Sequence, residues 1–200
     1  MKLTRRQIIK ALAALPIPAA VLSAIGVAPK AEAAMLLPAT PELEDADDPT
    51  PPLTEGPFYK PKSPRRSNLI EPGMKGEKVV VSGKVTDRKG NPVANAQVEV
   101  WHADSAGEYD NVGYRCRGHF FTEKDGTYKF TAVYPGLYPG RTRHYHIRVQ
   151  APSKSPLTTQ LFFPGEPGNA RDGIFLRELV MKVRQGKDRK EAAFDFVLNV

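Results

Sequence analysis

The sequence predicts an all-β domain, an antiparallel β-sandwich with long loops and an extended, proline-rich N-terminal arm. Three observations predict it. Short alternations of apolar and polar residues, rich in β-branched types, recur from Glu77 onward with turn residues between them. No long stretch has helical spacing. Residues 38–64 hold eight prolines, which exclude regular helix or central strand there.

The chain opens with an address label. Thr4-Arg5-Arg6-Gln7-Ile8-Ile9-Lys10 is a twin-arginine pattern, an Ala-rich apolar stretch runs from Ala11 to Ala28, and Ala31-Glu32-Ala33 is a small-x-small cleavage site. Pro16, Pro18 and Gly26 interrupt the stretch, which argues against a membrane anchor, since a span needs about 20 apolar residues. Residues 1–33 are therefore expected to be a twin-arginine signal peptide, with export to the periplasm or beyond and no stable membrane span after its removal. That route carries folded proteins, which suits a cofactor loaded before export.

Without residues 1–33 the formal charge falls from +7 to +3, with 24 basic and 21 acidic side chains left. So small a surplus gives no support to a nucleic-acid partner. Cys116 is the only cysteine, so no intrachain disulfide can form, and the C-x-x-H pair Cys116/His119 is at best half a zinc site. Residues 34–52, with the acidic run Glu42, Glu44, Asp45, Asp47 and Asp48, are expected to be a flexible, solvated leader. Residues 53–200 form the domain. It begins with an arm, Leu53-Thr54-Glu55-Gly56-Pro57-Phe58-Tyr59, whose apolar side chains need a surface to lie on.

The expected strands follow in order. Val79–Val85 is β-branched and ends before the turn residues Lys89-Gly90-Asn91-Pro92. Ala96–Trp101 alternates, Tyr128–Val133 follows the Asp125-Gly126 turn, and His144–Ala151 comes next. Thr159–Phe163, Glu178–Val183 and Ala193–Val200 complete the set. Residues Asp104 to Lys124 read as one long excursion between strands, and excursions of that length in a compact domain usually carry function.

The richest stretch is Tyr134–Val149, YPGLYPGRTRHYHIRV. If residues 144–149 are extended, His144, His146 and Arg148 face one way while Tyr145, Ile147 and Val149 face a core. Two imidazoles on one side of a strand can converge on a metal, although an isolated HxH is equally a surface strand. Tyr138 and Arg141 stand just upstream, in a turn marked by Pro135, Gly136, Pro139 and Gly140. Tyr134 rivals Tyr138, since both precede Pro-Gly. Arg143 and Arg148 read as surface or anion-contacting residues, and His102 as structural.

Several motifs occur together. Gly56-Pro57-Phe58-Tyr59, VSGKVTDRKGNPVANAQVEVWHAD, Tyr109 eight residues after Trp101, DGTYKFTAVYPG, YPGRTRHYH and TTQLFFPG stand in the order of the intradiol ring-cleavage dioxygenases. From Leu53 to Gly173 the chain resembles that family, including the protocatechuate 3,4-dioxygenases and catechol 1,2-dioxygenases. The resemblance implies long active-site loops around one non-haem Fe(III) held by Tyr109, Tyr138, His144 and His146. It implies a catechol-type substrate cleaved with O2 between its hydroxyl-bearing carbons to a muconate-type dicarboxylate. It gives Tyr138 a second role in taking up a substrate proton and Arg141 the stabilisation of charge on the ring. Gln160, Tyr59 and Gly140 are then substrate-binding or supporting positions. Phenolate is a hard, strongly donating ligand suited to ferric iron, whereas the ferrous oxygenases use two histidines and a carboxylate.

Gly140 stands where protocatechuate enzymes often place a tryptophan, which implies a more open pocket. The long helical dimerisation region of catechol 1,2-dioxygenases has no counterpart in this sequence. A homo-oligomer or a related second subunit is compatible with the resemblance. Val81–Val100 also resembles transthyretin-like and carboxypeptidase regulatory domains, non-catalytic sandwich modules that bind or space.

Overall fold

The computed structural model describes residues 47–200. The export signal read over residues 1–33 lies outside the described residues, as does most of the leader. Nine strands form two sheets: β1 (Lys78–Asp87), β2 (Gln97–Trp101), β3 (Arg117–Phe121), β4 (Thr127–Val133), β5 (His144–Gln150), β6 (Leu157–Phe162), β7 (Lys182–Gln185), β8 (Lys190–Ala193) and β9 (Phe196–Leu198). A single 3₁₀ turn, Arg177–Leu179, is the one helical element assigned among the described residues.

One sheet runs β4-β1-β8-β7, with β9 also on β1; the other runs β3-β2-β5-β6, antiparallel throughout. The long β1 takes β4 antiparallel along one edge. Along the other it takes first β8 and then β9, both parallel, so this sheet is mixed rather than purely antiparallel.

The inward residues of the two sheets make one core: Val79, Val81 and Val85 of β1, Val98 and Val100 of β2, Phe130 and Ala132 of β4, and Tyr145, Ile147 and Val149 of β5. Alternation along each strand places them there, because successive side chains point to opposite faces. The arm closes the open side of the sandwich. Its residues 64–69 bond to both facing edge strands, with Arg66 N–H on the His119 carbonyl of β3 and Leu69 N–H on the Thr131 carbonyl of β4.

Several elements differ from expectation. The excursion after Trp101 is not unbroken loop, because β3 lies inside it. Gly118 and the polar Arg117 and His119 hide that strand's alternation. Leu179 is buried within a 3₁₀ turn rather than a strand, and the strand expected at Glu178–Val183 is displaced to Lys182–Gln185. The charged β8 was not anticipated at all; register with β1 makes it a strand. Residues 47–52, assigned by sequence to the leader, bond to the domain: Thr50 N–H reaches the Val197 carbonyl, and the Pro51 carbonyl accepts from the Thr159 hydroxyl.

Ile147 is completely buried between the sheets. Ile147→Ala is expected to lower the unfolding free energy by about 2–5 kcal/mol. Denaturant titration checks it, and an unchanged midpoint contradicts this packing.

Candidate metal centre

The outer face of the β3-β2-β5-β6 sheet is built in cross-strand rows. In one row Arg117, Trp101, His146 and Gln160 are direct neighbours. In the next, His119, Glu99, Arg148 and Thr158 are. His144, two residues before His146, shares this face, while Tyr145 and Ile147 between and after them enter the core.

Two imidazoles and one phenol converge above the first row. His144 Nε2 lies 3.2 Å from His146 Nε2, and Tyr109 Oη lies 3.3 Å from His144 Nε2. His144 Nδ1 stands 2.6 Å from the Thr142 carbonyl, which can only accept. That nitrogen therefore carries the proton, and Nε2 presents its lone pair to the cluster. Imidazole nitrogens sit about 2.0–2.1 Å from a metal such as zinc, which puts neighbouring ligands on one ion roughly 3.0–3.4 Å apart. The observed separations match. Tyr138 stands edge-on to Tyr109 with ring centroids 5.8 Å apart. The structure thus brings Tyr109, His144 and His146 together and sets the Tyr138 ring beside Tyr109. Among the described residues no group of three or more His, Cys, Asp or Glu side chains is placed to hold a metal, so a two-histidine, one-carboxylate set is not formed there.

Each ring is held from behind. Trp101 stacks on His146 at 5.0 Å and 8°. Phe58 of the arm stacks on Tyr109 at 4.4 Å and 14° and meets Tyr138 edge-on. Gly56 has φ +70°, and a Cβ there would stand 3.1 Å from His146 Cε1, so only glycine lets the arm lie against this imidazole. The sequence pointed to Phe58 merely as an apolar arm residue; its partner is remote in the chain.

Burial sets the protonation states. It lowers the His144 pKa to about 4, and it holds His146 well below the ordinary value, with the charges of His144, Arg141 and Arg117 adding to the effect. Both rings are neutral at pH 7, the state a ligand needs. Burial raises the Tyr109 phenol well above its ordinary value, against the pull of Arg141 and then Arg117. Only a strong cation makes that phenol a phenolate at neutral pH.

Arg141 is clamped in place. Its Nε donates to Asp172 Oδ2 at 2.8 Å and one Nη to Gln160 Oε1 at 2.6 Å, while Gln160 donates in turn to the Thr54 carbonyl. Burial alone raises the Asp172 carboxyl, but bonds from the Thr142 amide and Arg141 outweigh it and hold the carboxylate below its usual range. Asp172 lies 31 residues from Arg141, and no spacing signal marks it. Beside this pair opens a cavity of about 520 Å³, lined by Tyr138, Gly140, Arg141, Glu166, Arg171 and Asp172 among others. Gly140 has φ +76°, a conformation that favours glycine, and nothing lies near its missing Cβ, so the cavity stays open there.

Tyr59 is not brought to this cluster. Its ring meets the edge of Trp101, and its hydroxyl donates to Glu99 and accepts from Arg148 Nη1 at 2.7 Å. It belongs to a small polar cavity over the second row, and Trp101 stands between it and His146. Tyr134 is wall and packing: its hydroxyl bonds Glu166 and its ring meets Phe163 edge-on. His102 is buried with Nδ1 on the Ala103 carbonyl, and Cys116 faces Met74 while His119 faces Ser63. The latter two form no joint site.

Comparison with known protein families matches residues 54–200 to the family described as Dioxygenase. The chain belongs to the dioxygenase family. Its fold matches the dioxygenase domain of a dioxygenase–carbohydrate-binding fusion from Streptomyces sp. SirexAA-E, with 47% identity and a TM-score of 0.75 over 76% of this chain and 99% of that one. It is 35% identical over 144 residues to hydroxyquinol 1,2-dioxygenase of Nocardioides simplex, covering 60% of this chain and 49% of that protein. It is 36% identical over 118 residues to the protocatechuate 3,4-dioxygenase beta chain of Burkholderia cepacia, half of each chain. This dioxygenase-family chain therefore spans about half the length of the curated relatives it matches. The match extends far beyond Val81–Val100, the segment shared with non-catalytic sandwich modules, and reaches Tyr109, Tyr138, His144 and His146.

Two outcomes follow from this geometry. Folded pKa values of His144, His146 and His102 lie below the unfolded value of about 6.5, with His144 and His102 at about 4. The unfolded chain then binds more protons, so metal-free protein loses stability as pH falls from about 6.5 toward 4, by on the order of 1 kcal/mol per pH unit per histidine. Denaturant midpoints measured across that range test the sign; a flat profile contradicts it. Gly56→Ala is expected to destabilise by about 1 kcal/mol or more and to loosen metal binding, read by thermal melting and equilibrium dialysis.

Proposed function

We propose that this chain is an intradiol dioxygenase that cleaves the ring of a catechol-type substrate between its hydroxyl-bearing carbons, consuming O2 and yielding a muconate-type dicarboxylate. One observation carries the reading: Tyr109 Oη and the Nε2 atoms of His144 and His146 meet at ligand spacing, with Tyr138 beside them. The donor set fits a ferric ion, with hard phenolates and neutral imidazoles and no thiolate. Tyr109, Tyr138, His144 and His146 are its ligands in this reading. A ferric ion held by these four side chains would supply the Lewis acidity that activates a catechol-type ring toward O2.

The protein's own groups do the rest. Thr142 fixes the His144 tautomer, and Trp101 and Phe58 hold His146 and Tyr109 so that little reorganisation remains. The cavity at Tyr138–Arg141 admits the aromatic ring. Tyr138 Oη takes up a proton from an incoming hydroxyl. Arg141, held by Asp172 and Gln160, presents fixed positive charge where the ring becomes anionic. Gly140 leaves room for ring substituents, and the names of the relatives, hydroxyquinol and catechol 1,2-dioxygenases, support this substrate class. In the same reading the twin-arginine segment directs the folded protein to the periplasm or outside the cell.

Iron-loaded protein is expected to be red-brown from tyrosinate-to-iron charge transfer and to take up O2 with at least one of catechol, protocatechuate, hydroxyquinol or substituted catechols. Tyr109→Phe should remove much of the colour and the activity. Arg141→Gln should keep the colour and lower turnover roughly 10²-fold. Colourless iron-loaded protein, inert toward the whole panel, sinks the reading.

A further inference from the structure

Arg117 is 2% exposed, yet none of the ion pairs among the described residues includes it. Its N–H groups go to main-chain carbonyls instead. One Nη donates to Phe58 at 2.7 Å, while Nε and the other Nη donate to Asp110 at 3.2 and 3.0 Å. Those two carbonyls belong to separate segments, which meet at Tyr109 and again where Lys60 Nζ donates to the Val112 and Gly113 carbonyls and the Tyr114 hydroxyl to the Pro61 carbonyl. Phe58 supplies the ring stacked on Tyr109, and Asp110 is the next residue along the chain. Arg117 is itself fixed to the sheet as the cross-strand neighbour of Trp101, which is the neighbour of His146. A single guanidinium therefore joins the arm, the loop after Tyr109 and the row that carries a histidine. A fully buried cation without a carboxylate is costly to keep, and such a group is best tolerated where an anion sits close by.

We propose that Arg117 is a positioning residue of the metal centre, its planar fork locking Phe58 and Asp110 so that the Tyr109 hydroxyl is held toward His144 and His146. The inference rests on the ferric reading of that cluster. Only arginine offers donors in a rigid plane that can serve two carbonyl groups at once; a lysine keeps the charge and loses the fork.

The test uses the full chain loaded with iron, comparing the parent with Arg117→Lys and Phe58→Leu. Three quantities are read: the visible charge-transfer band, iron retention against a chelator and the unfolding midpoint. Both variants are expected to shift and weaken the band and to hold iron roughly 10–100-fold less tightly. A lower midpoint in Arg117→Lys with parental band and iron retention would reduce Arg117 to a fold-stabilising residue and overturn the proposal. If Arg117→Lys does not fold, Phe58→Leu decides: an unchanged band and unchanged retention overturn it equally. A parental protein that lacks the band sinks the ferric reading itself, and this proposal with it.

Discussion

From His144 to Ile147 strand β5 is buried on both faces, and the rest of the molecule depends on that. On one side Tyr145, Ile147 and Val149 complete the core between the sheets, each with no exposed surface. On the other side His144 and His146 are covered by the arm and by the loops that carry Tyr109 and Tyr138. A slip of one residue would put imidazoles into the core and apolar side chains under the arm, so burial alone pins the register that aims both Nε2 atoms at one point. The geometry of the cluster is thus a by-product of ordinary sandwich packing on the opposite face.

The outer face divides electrostatically into two rows. The row containing His146 holds rings, Gln160 and the Arg117 guanidinium on carbonyls, and beside it the loop residue Arg141 is held on Asp172 and Gln160. The adjacent row contains a buried carboxylate, Glu99, satisfied by Ser63 and Tyr59. Trp101 separates them. Its indole face supports His146 and its edge region meets Tyr59, so the polar network behind it stays out of the cluster. Fixed cations near buried phenols favour the ionised ligand, and dry imidazoles remain neutral. Neutral, buried rings of this kind present lone pairs to the cluster rather than carry protons.

Much of this was legible in the chain because strand periodicity is local. The alternation at residues 144–149 announced which side chains share a face, and the tyrosine and histidine motifs in order named the candidate ligands through the family resemblance. Other features were hidden for identifiable reasons. β3 carries polar residues on its outer face because arm residues, not water, cover it, so its pattern does not read as a half-exposed strand. β8 is charged and gains its identity from pairing with β1. Tyr59 follows Phe58 directly, but the chain turns at Pro57 and Phe58 so that the two side chains diverge, and only Phe58 reaches the cluster.

By itself the sequence determined the sandwich class and the direction of each inner-face residue, because these follow from side-chain chemistry and spacing within single segments; the four candidate ligands came from the order of motifs shared with a known family. Tertiary structure alone decided that the arm stacks Phe58 on Tyr109, that Asp172 and Gln160 clamp Arg141, and that Arg117 ties the arm to the loop after Tyr109. Apart from the Arg117–Asp110 bonds, seven positions apart, those contacts join residues 19 to 59 positions apart. No local propensity encodes such pairings; they exist only once two packed sheets bring the segments together.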